Sequence, residues 1–158
     1  MFRKLTREKQ KLSIDECKKL LTSEKRGVLS LYGLDGYPYG VPMDFLYNEK
    51  ENTIFFHGGK HGHKYEAILK KPKVSFCTFD KGYQEEGKWP YIVKSVVVFG
   101  KVAEITDRKK AMDLLRAFGY KYCSDDEYVE YEVREDGPHS LCLELKIEDM
   151  QGKLVREE

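Results

Sequence analysis

The order of apolar and polar positions divides the chain into short strands with a few helices between them. Ser13-Ile14-Asp15-Glu16 has capping-box form, a serine followed three residues later by a glutamate, and Cys17, Leu20 and Leu21 follow at helical spacing. This predicts a helix over residues 14–24, with Gly27 as its stop. Residues 28–32 read as a buried strand and Asp35-Gly36 as a hairpin turn. The return strand, residues 37–47, contains Pro38 and Pro42 and is therefore expected to bulge or to lie at a sheet edge. A polar turn over 48–52 leads into a strand over 53–57. Tyr65, Ile68 and Leu69 then take the i, i+3, i+4 spacing of a second helix, ended by Pro72.

Residues 73–79 alternate as a strand, with Val74, Phe76 and Thr78 on one face and Ser75, Cys77 and Phe79 on the other. Residues 80–90 form a polar loop that holds the only tryptophan, Trp89. A long β-branched run, 91–105, is interrupted at Gly100, where a bulge or bend is expected. Asp107 caps a third helix with Ala111, Leu114, Leu115 and Phe118 as its apolar face; Gly119 offers a stop, Tyr120 and Tyr122 a continuation. Residues 124–136 are strongly acidic and read as a solvated helix or surface loop. In the last strand, 140–147, Leu141, Leu143, Leu145 and Ile147 face one way, and Ser140, Cys142, Glu144 and Lys146 the other. About six strands, several joined by hairpins and without βαβ alternation, predict a mainly β fold. The expectation is an antiparallel barrel or strongly curled sheet with peripheral helices, in one domain over residues 1–158 whose first twelve residues are a flexible arm.

The charge balance, 28 basic against 27 acidic residues for a net +1, gives no case for nucleic acid or membrane as a partner. The N-terminus lacks a signal-type apolar core, and no apolar run reaches the roughly 18–20 residues of a membrane helix, so a cytoplasmic protein is expected. Cys17, Cys77, Cys123 and Cys142 are scattered without a CxxC pair, which suits reduced thiols.

The chemistry-bearing stretch is His57-Gly58-Gly59-Lys60-His61-Gly62-His63-Lys64, between a strand and a helix. Such a turn leaves backbone N–H groups free for an anion. An ordinary surface loop is the plain alternative. A metal site on His57, His61, His63 and Cys77 is a third reading, without a motif-like ligand spacing. Neither GxGxxG nor GxxxxGK[ST] occurs, which removes the usual nucleotide fingerprints. Flavin mononucleotide (FMN), with one phosphate and a large apolar ring, suits the stretch: Lys64 supplies charge, Gly58, Gly59 and Gly62 let the backbone approach, and His57 or His63 donates.

An ordered series of segments carries a resemblance. It begins at Gly27-Val28-Leu29-Ser30 and Tyr39-Gly40-Val41-Pro42-Met43-Asp44-Phe45. It continues through Ile54-Phe55-Phe56-His57-Gly58, Gly62-His63-Lys64 and Lys71-Pro72-Lys73-Val74-Ser75-Phe76. Tyr91, the run from Ser95 to Val102, and Gly152-Lys153 complete it. The series resembles the FMN-binding split-barrel family, the pyridoxamine 5'-phosphate oxidase-like group, and within it the nitroimidazole-resistance (Nim-type) subfamily. The resemblance implies a six-stranded antiparallel split barrel that forms a homodimer with FMN at the interface. Lys64 would bind the phosphate with His63 and the Gly58-Gly59 backbone. Val41, Pro42, Met43 and Asp44 would line the ring, Phe56 and His57 would complete that wall, and Tyr91, Ser95 and Val96 would approach from the partner. From the residues alone, Val41, Phe56 and Val96 read as core positions.

The implied activity is a flavin-dependent oxidoreductase that passes electrons from NAD(P)H to a small-molecule substrate such as a nitro-aromatic compound. His57 is the one residue that reads as a proton donor, and no metal is expected. The alternatives are a non-catalytic flavin or haem sensor, and an interaction protein whose basic turn meets an anionic partner. Lys60-His61 and the 80–90 loop depart from the family pattern, and the loop is placed to restrict the substrate side.

Overall fold

The computed structural model describes residues 1–156. Its strands are β1 (Arg26–Tyr32), β2 (Pro38–Asp44), β3 (Leu46–Asn48), β4 (Thr53–Gly58), β5 (Lys73–Phe79), β6 (Tyr83–Gln84), β7 (Tyr91–Glu104) and β8 (Leu141–Val155). The helices are α1 (Ile14–Ser23), α2 (His63–Lys70), α3 (Arg108–Tyr122) and α4 (Asp126–Glu135). All strand pairs are antiparallel, in the order β2-β1-β5-β7-β8-β4-β3, with β6 added to β7. The sheet curls into a half-barrel, and the expected fold class holds with β3 and β6 as short additions.

The single return strand expected over 37–47 is instead two strands at opposite edges of the sheet. The break falls at Phe45, which is wholly buried against Phe76, with ring centroids 4.7 Å apart. Its backbone leaves the ladder: the Phe45 N–H donates to the Tyr122 hydroxyl at 2.8 Å, and its carbonyl accepts from Lys121 Nζ at 2.9 Å. Both prolines lie on β2, an edge strand, where a missing N–H costs little.

Two apolar clusters share β4. Ile54 and Phe56 enter the barrel core with Leu29, Phe76, Val98 and Leu145, while Phe55 enters a second cluster with Leu115, Phe118 and Val133 of α3 and α4. That second cluster corrects three expectations. The acidic stretch is a helix that buries Val129 and Val133. The polar face expected for the last strand is covered, so Cys142 and Glu144 are buried beside the leucines. Glu144 stays charged-paired there, 2.8 Å from Lys110 Nζ, which also meets Glu51 at 2.7 Å. Gly119 does not stop α3, because its missing Cβ is what lets Val129 approach: a Cβ there would meet Val129 Cγ1 at 2.8 Å.

At α1 the capping box forms as expected, with Ser13 Oγ accepting from the Glu16 N–H at 3.2 Å and Glu16 Oε2 from the Ser13 N–H at 2.9 Å. Ahead of it, Lys11 bridges to Lys153 and Leu12 is buried. In α2 the burial falls on Ala67 and Ile68, and Leu69, expected on the apolar face, is 64% exposed. Among the described residues no helix is long and apolar enough to cross a membrane.

β7 and β8 form the longest ladder, with a register shift between Phe99 and Gly100 at the expected bulge. A Cβ on Gly100 would lie 2.0 Å from the Lys146 carbonyl oxygen. Gly100→Ala is expected to cost about 2–3 kcal/mol of stability, read as a lowered urea midpoint with an unchanged slope. A midpoint equal to that of the parent protein would show that the ladder is not tight at the bulge.

Candidate functional site

β4 ends at Gly58 and α2 begins at His63. Gly62 caps the helix with φ 105°, a conformation that favours glycine, and brings no capping side chain. The first-turn N–H groups of α2 thus keep no side-chain partner. Lys64, in that turn, is half-buried and reaches across to the end of β2. Its Nζ lies 3.6 Å from Met43 Sδ, and 3.1 Å from where a Cβ on Gly58 would stand. Among the described residues no carboxylate pairs with it. Burial lowers the Lys64 pKa. A half-buried ammonium beside a thioether is a charge that lacks its counter-ion.

His57 lies at the same seam, its ring edge-on to Phe118 at 4.6 Å. Burial pushes its pKa below the ordinary histidine value; the Asp44 carboxylate opposes this and Lys64 adds to it. The imidazole is therefore neutral at neutral pH. Asp44 is itself held by Arg26 Nε at 2.9 Å, its register partner across the β1–β2 ladder. His63 is turned the other way. Its ring stacks on Tyr39 at 4.3 Å, and its Nε2 accepts the Leu34 N–H at 2.9 Å, which ties α2 to the β1–β2 hairpin. Lys60 and His61 are exposed.

The expected site residues therefore separate into groups. Met43, Asp44, His57, Gly58, His63 and Lys64 come together at the seam between β2, β4 and α2, with Gly59 exposed beside them. Pro42 is exposed on β2, and Val41 packs against the barrel core. Phe56 and Val96 have no exposed surface, so the Phe56 side chain does not form the wall expected of it and the Val96 side chain does not lie open to a partner. Tyr91 and Ser95 lie on β7, separated from β2 by β1 and β5, and do not join the seam within this chain. Among the described residues no group of three His, Cys, Asp or Glu is placed to hold a metal ion.

Four contacts of the seam were not read from the sequence: Arg26 on Asp44, Tyr39 and Leu34 on His63, and Phe118 on His57. The first was available, because folding the ladder about Asp35 sets Arg26 opposite Asp44. The others join elements far apart in the chain and carry no local pattern.

A family model described as Pyridoxamine 5'-phosphate oxidase matches residues 13–154. No curated protein matches the sequence. Among solved structures, the chain is similar to a protein from Bacteroides thetaiotaomicron assigned to 5-nitroimidazole antibiotic resistance, at 22% identity and a TM-score of 0.75, covering 94% of this chain and 90% of that one. An FAD-binding protein from Mesorhizobium loti is 24% identical with a TM-score of 0.64, over 92% of this chain and 97% of that one. An FAD- and haem-binding protein from Mycobacterium smegmatis is 18% identical with a TM-score of 0.71, over 96% and 77%. At these identities the likeness is one of fold.

The burial of His57 has a measurable consequence. An unfolded histidine takes a proton near pH 6.5, whereas folded His57 takes it only at lower pH. Stability is therefore unaffected above that value and falls as the pH drops below it, through the folded pKa. His57→Gln is expected to flatten the fall in Tm between pH 7.5 and 5.5. An unchanged pH profile would mean that His57 titrates as a solvated group.

Proposed function

The chain belongs to the pyridoxamine 5'-phosphate oxidase family, and on that footing we propose that it is a homodimeric FMN-binding oxidoreductase. The observation that carries this reading is the Lys64 ammonium, half-buried at a helix start with a sulfur atom and, among the described residues, no carboxylate beside it. A flavin phosphate supplies the missing charge and accepts from Lys64 Nζ and the free N–H groups of the first turn of α2. One such cation suits the single phosphate of FMN better than the two of FAD. The exposed Gly59 leaves the backbone bare on that side. The ring would lie along β2, whose outer edge is unpaired from Gly40 to Asp44.

Bound flavin would supply the redox chemistry, moving electrons from a reduced nicotinamide to a small acceptor. The chain's own residues set the surroundings. Lys64 fixes the phosphate, Met43 and Asp44 border the ring, and neutral His57 presents an imidazole able to relay a proton at the seam. The likeness to a 5-nitroimidazole resistance protein supports a nitro-aromatic acceptor. The free thiols suit a reducing compartment, the cytoplasm.

The homodimer is supported by the outer face of the sheet. Pro42, Val28, Cys77 and Val97 form one row across β2, β1, β5 and β7; Gly40, Ser30, Ser75 and Phe99 form the next. Neither row has a charge, and Phe79 beside them is 59% exposed. Tyr91 and Ser95 share this face, so a second copy packed on it would bring them into the interface.

The purified protein is expected to be yellow or to turn yellow with FMN. Lys64→Ala should raise the FMN dissociation constant roughly ten- to a hundredfold, with Lys60→Ala changing it little. A colourless protein that fails to bind added FMN, or equal effects of the two substitutions, overturns the assignment. Steady-state NAD(P)H oxidation with nitro-aromatic acceptors separates turnover from storage.

A further inference from the structure

Two features of the outer sheet face are left over, one toward each end of β7. Beside Tyr91, the 80–90 loop holds Trp89 in solvent at 87% exposure, near Tyr83 at 56%. The loop is braced. Gln84 Nε2 donates to the Trp89 carbonyl at 3.0 Å, and Glu85 pairs with Lys88 and with Arg156. The Asp80 carboxylate accepts the N–H groups of Gly82 and Lys94, each at 3.0 Å. So the loop is shaped by its own contacts, and yet its largest aromatic side chain is left in water.

Toward the other end lies a groove of about 590 Å³, lined by Tyr32, Tyr37, Phe99, Phe2, Lys71 and Lys73. It already accepts an aromatic ring, since Phe2 lies 5.6 Å from Phe99. Its free charge is cationic: the one acid in its lining, Glu148, is paired with Lys101 at 3.6 Å, whereas the Lys71 ammonium sits 4.9 Å above the Tyr32 ring and among the described residues neither Lys71 nor Lys73 has an ion-pair partner. Glu86, three residues before Trp89 in the loop, is exposed and equally unpaired among the described residues. Loop and groove match in both aromatic character and charge.

They cannot meet within one chain. Tyr91 and Phe99 stand on the same side of the sheet, with a separation of about 26 Å at the usual rise per strand residue. A two-fold axis lying above the outer face, parallel to the sheet and perpendicular to β7 at the level of Ser95, carries each loop onto the groove of a second copy and closes the contact. Around that midpoint the face is built of Ser95, Cys77, Val97 and Val28, small enough for two sheets to approach.

We propose that the 80–90 loop is a dimerisation arm: Trp89 of one copy enters the aromatic groove of the other, and Glu86 faces its Lys71 and Lys73. This rests on the homodimer proposed above and adds the partner contact that fixes its geometry.

The test uses the full chain with FMN, by sedimentation across a dilution series and by tryptophan emission, which reports Trp89 alone. Emission should shift red as the dimer dissociates. Trp89→Ala should raise the dimer dissociation constant roughly tenfold or more, with Trp89→Phe recovering part of the loss. Glu86→Lys and Lys73→Glu should each weaken the dimer, and the two combined should recover most of the parent affinity. All three positions are exposed, so folding is not at stake. A stable dimer that is indifferent to Trp89→Ala and to the charge swap overturns the arm while leaving the flavin reading intact. A chain that stays monomeric at all concentrations overturns the arm and the homodimer together.

Discussion

The pairing of β7 with β8 is the interaction on which the other elements depend. Both strands are about twice the length of their neighbours, and their ladder shifts register at Gly100, where the Lys146 carbonyl fills the place of a side chain. That close approach bends the sheet. β5 and β1 then extend it from one side and β4 from the other, so β2 and β3 end at opposite edges although Phe45 alone separates them in sequence. The seam between β2 and β4 is the product of that curl, and Lys64 stands across it.

Lys64, Lys110 and Lys121 are each partly buried, and their surroundings differ in an informative way. Lys110 has two carboxylates, Glu51 and Glu144. Lys121, with its pKa lowered to about 8 by burial, donates to the carbonyls of Glu24 at 2.6 Å and Phe45 at 2.9 Å and lies over the Phe45 ring at 3.9 Å. Among the described residues, Lys64 has only sulfur. In a chain with nearly equal numbers of acids and bases, a counter-ion for Lys64 was available in composition, and none of the described residues supplies it. Desolvation without compensation is costly, and the cost makes sense where an external anion supplies the compensation.

What was legible in the sequence was local. The capping box at Ser13, the turn at Asp35-Gly36, the edge position of a strand with two prolines and the bulge at Gly100 each follow from a few adjacent residues. What was not legible depended on packing from elsewhere. Glu144 alternates with leucines as an outward residue should, but α3 covers that face and brings Lys110 to it. Leu69 keeps helical spacing in a helix whose buried side is set by where β1 lies, not by the helix itself. The basic turn was found from its composition, whereas the diversion of His63 onto Tyr39 depends on a hairpin some twenty-five residues earlier. The break at Phe45 required knowing that Tyr122 and Lys121 would take over its backbone.

The separation of β2 from β3 also has a kinetic side. Neighbouring strands that pair with each other form early, because little chain entropy is lost in closing a short loop. β2 does this with β1, and β3 with β4, but the two hairpins reach opposite edges and are joined through β5, β7 and β8. Met43 and Asp44 therefore meet His57 and Lys64 only after the long-range ladder of β7 with β8 is complete. The seam is among the last parts of the molecule to assemble, so a ligand held there recognises chains that have finished folding and passes over those that have not.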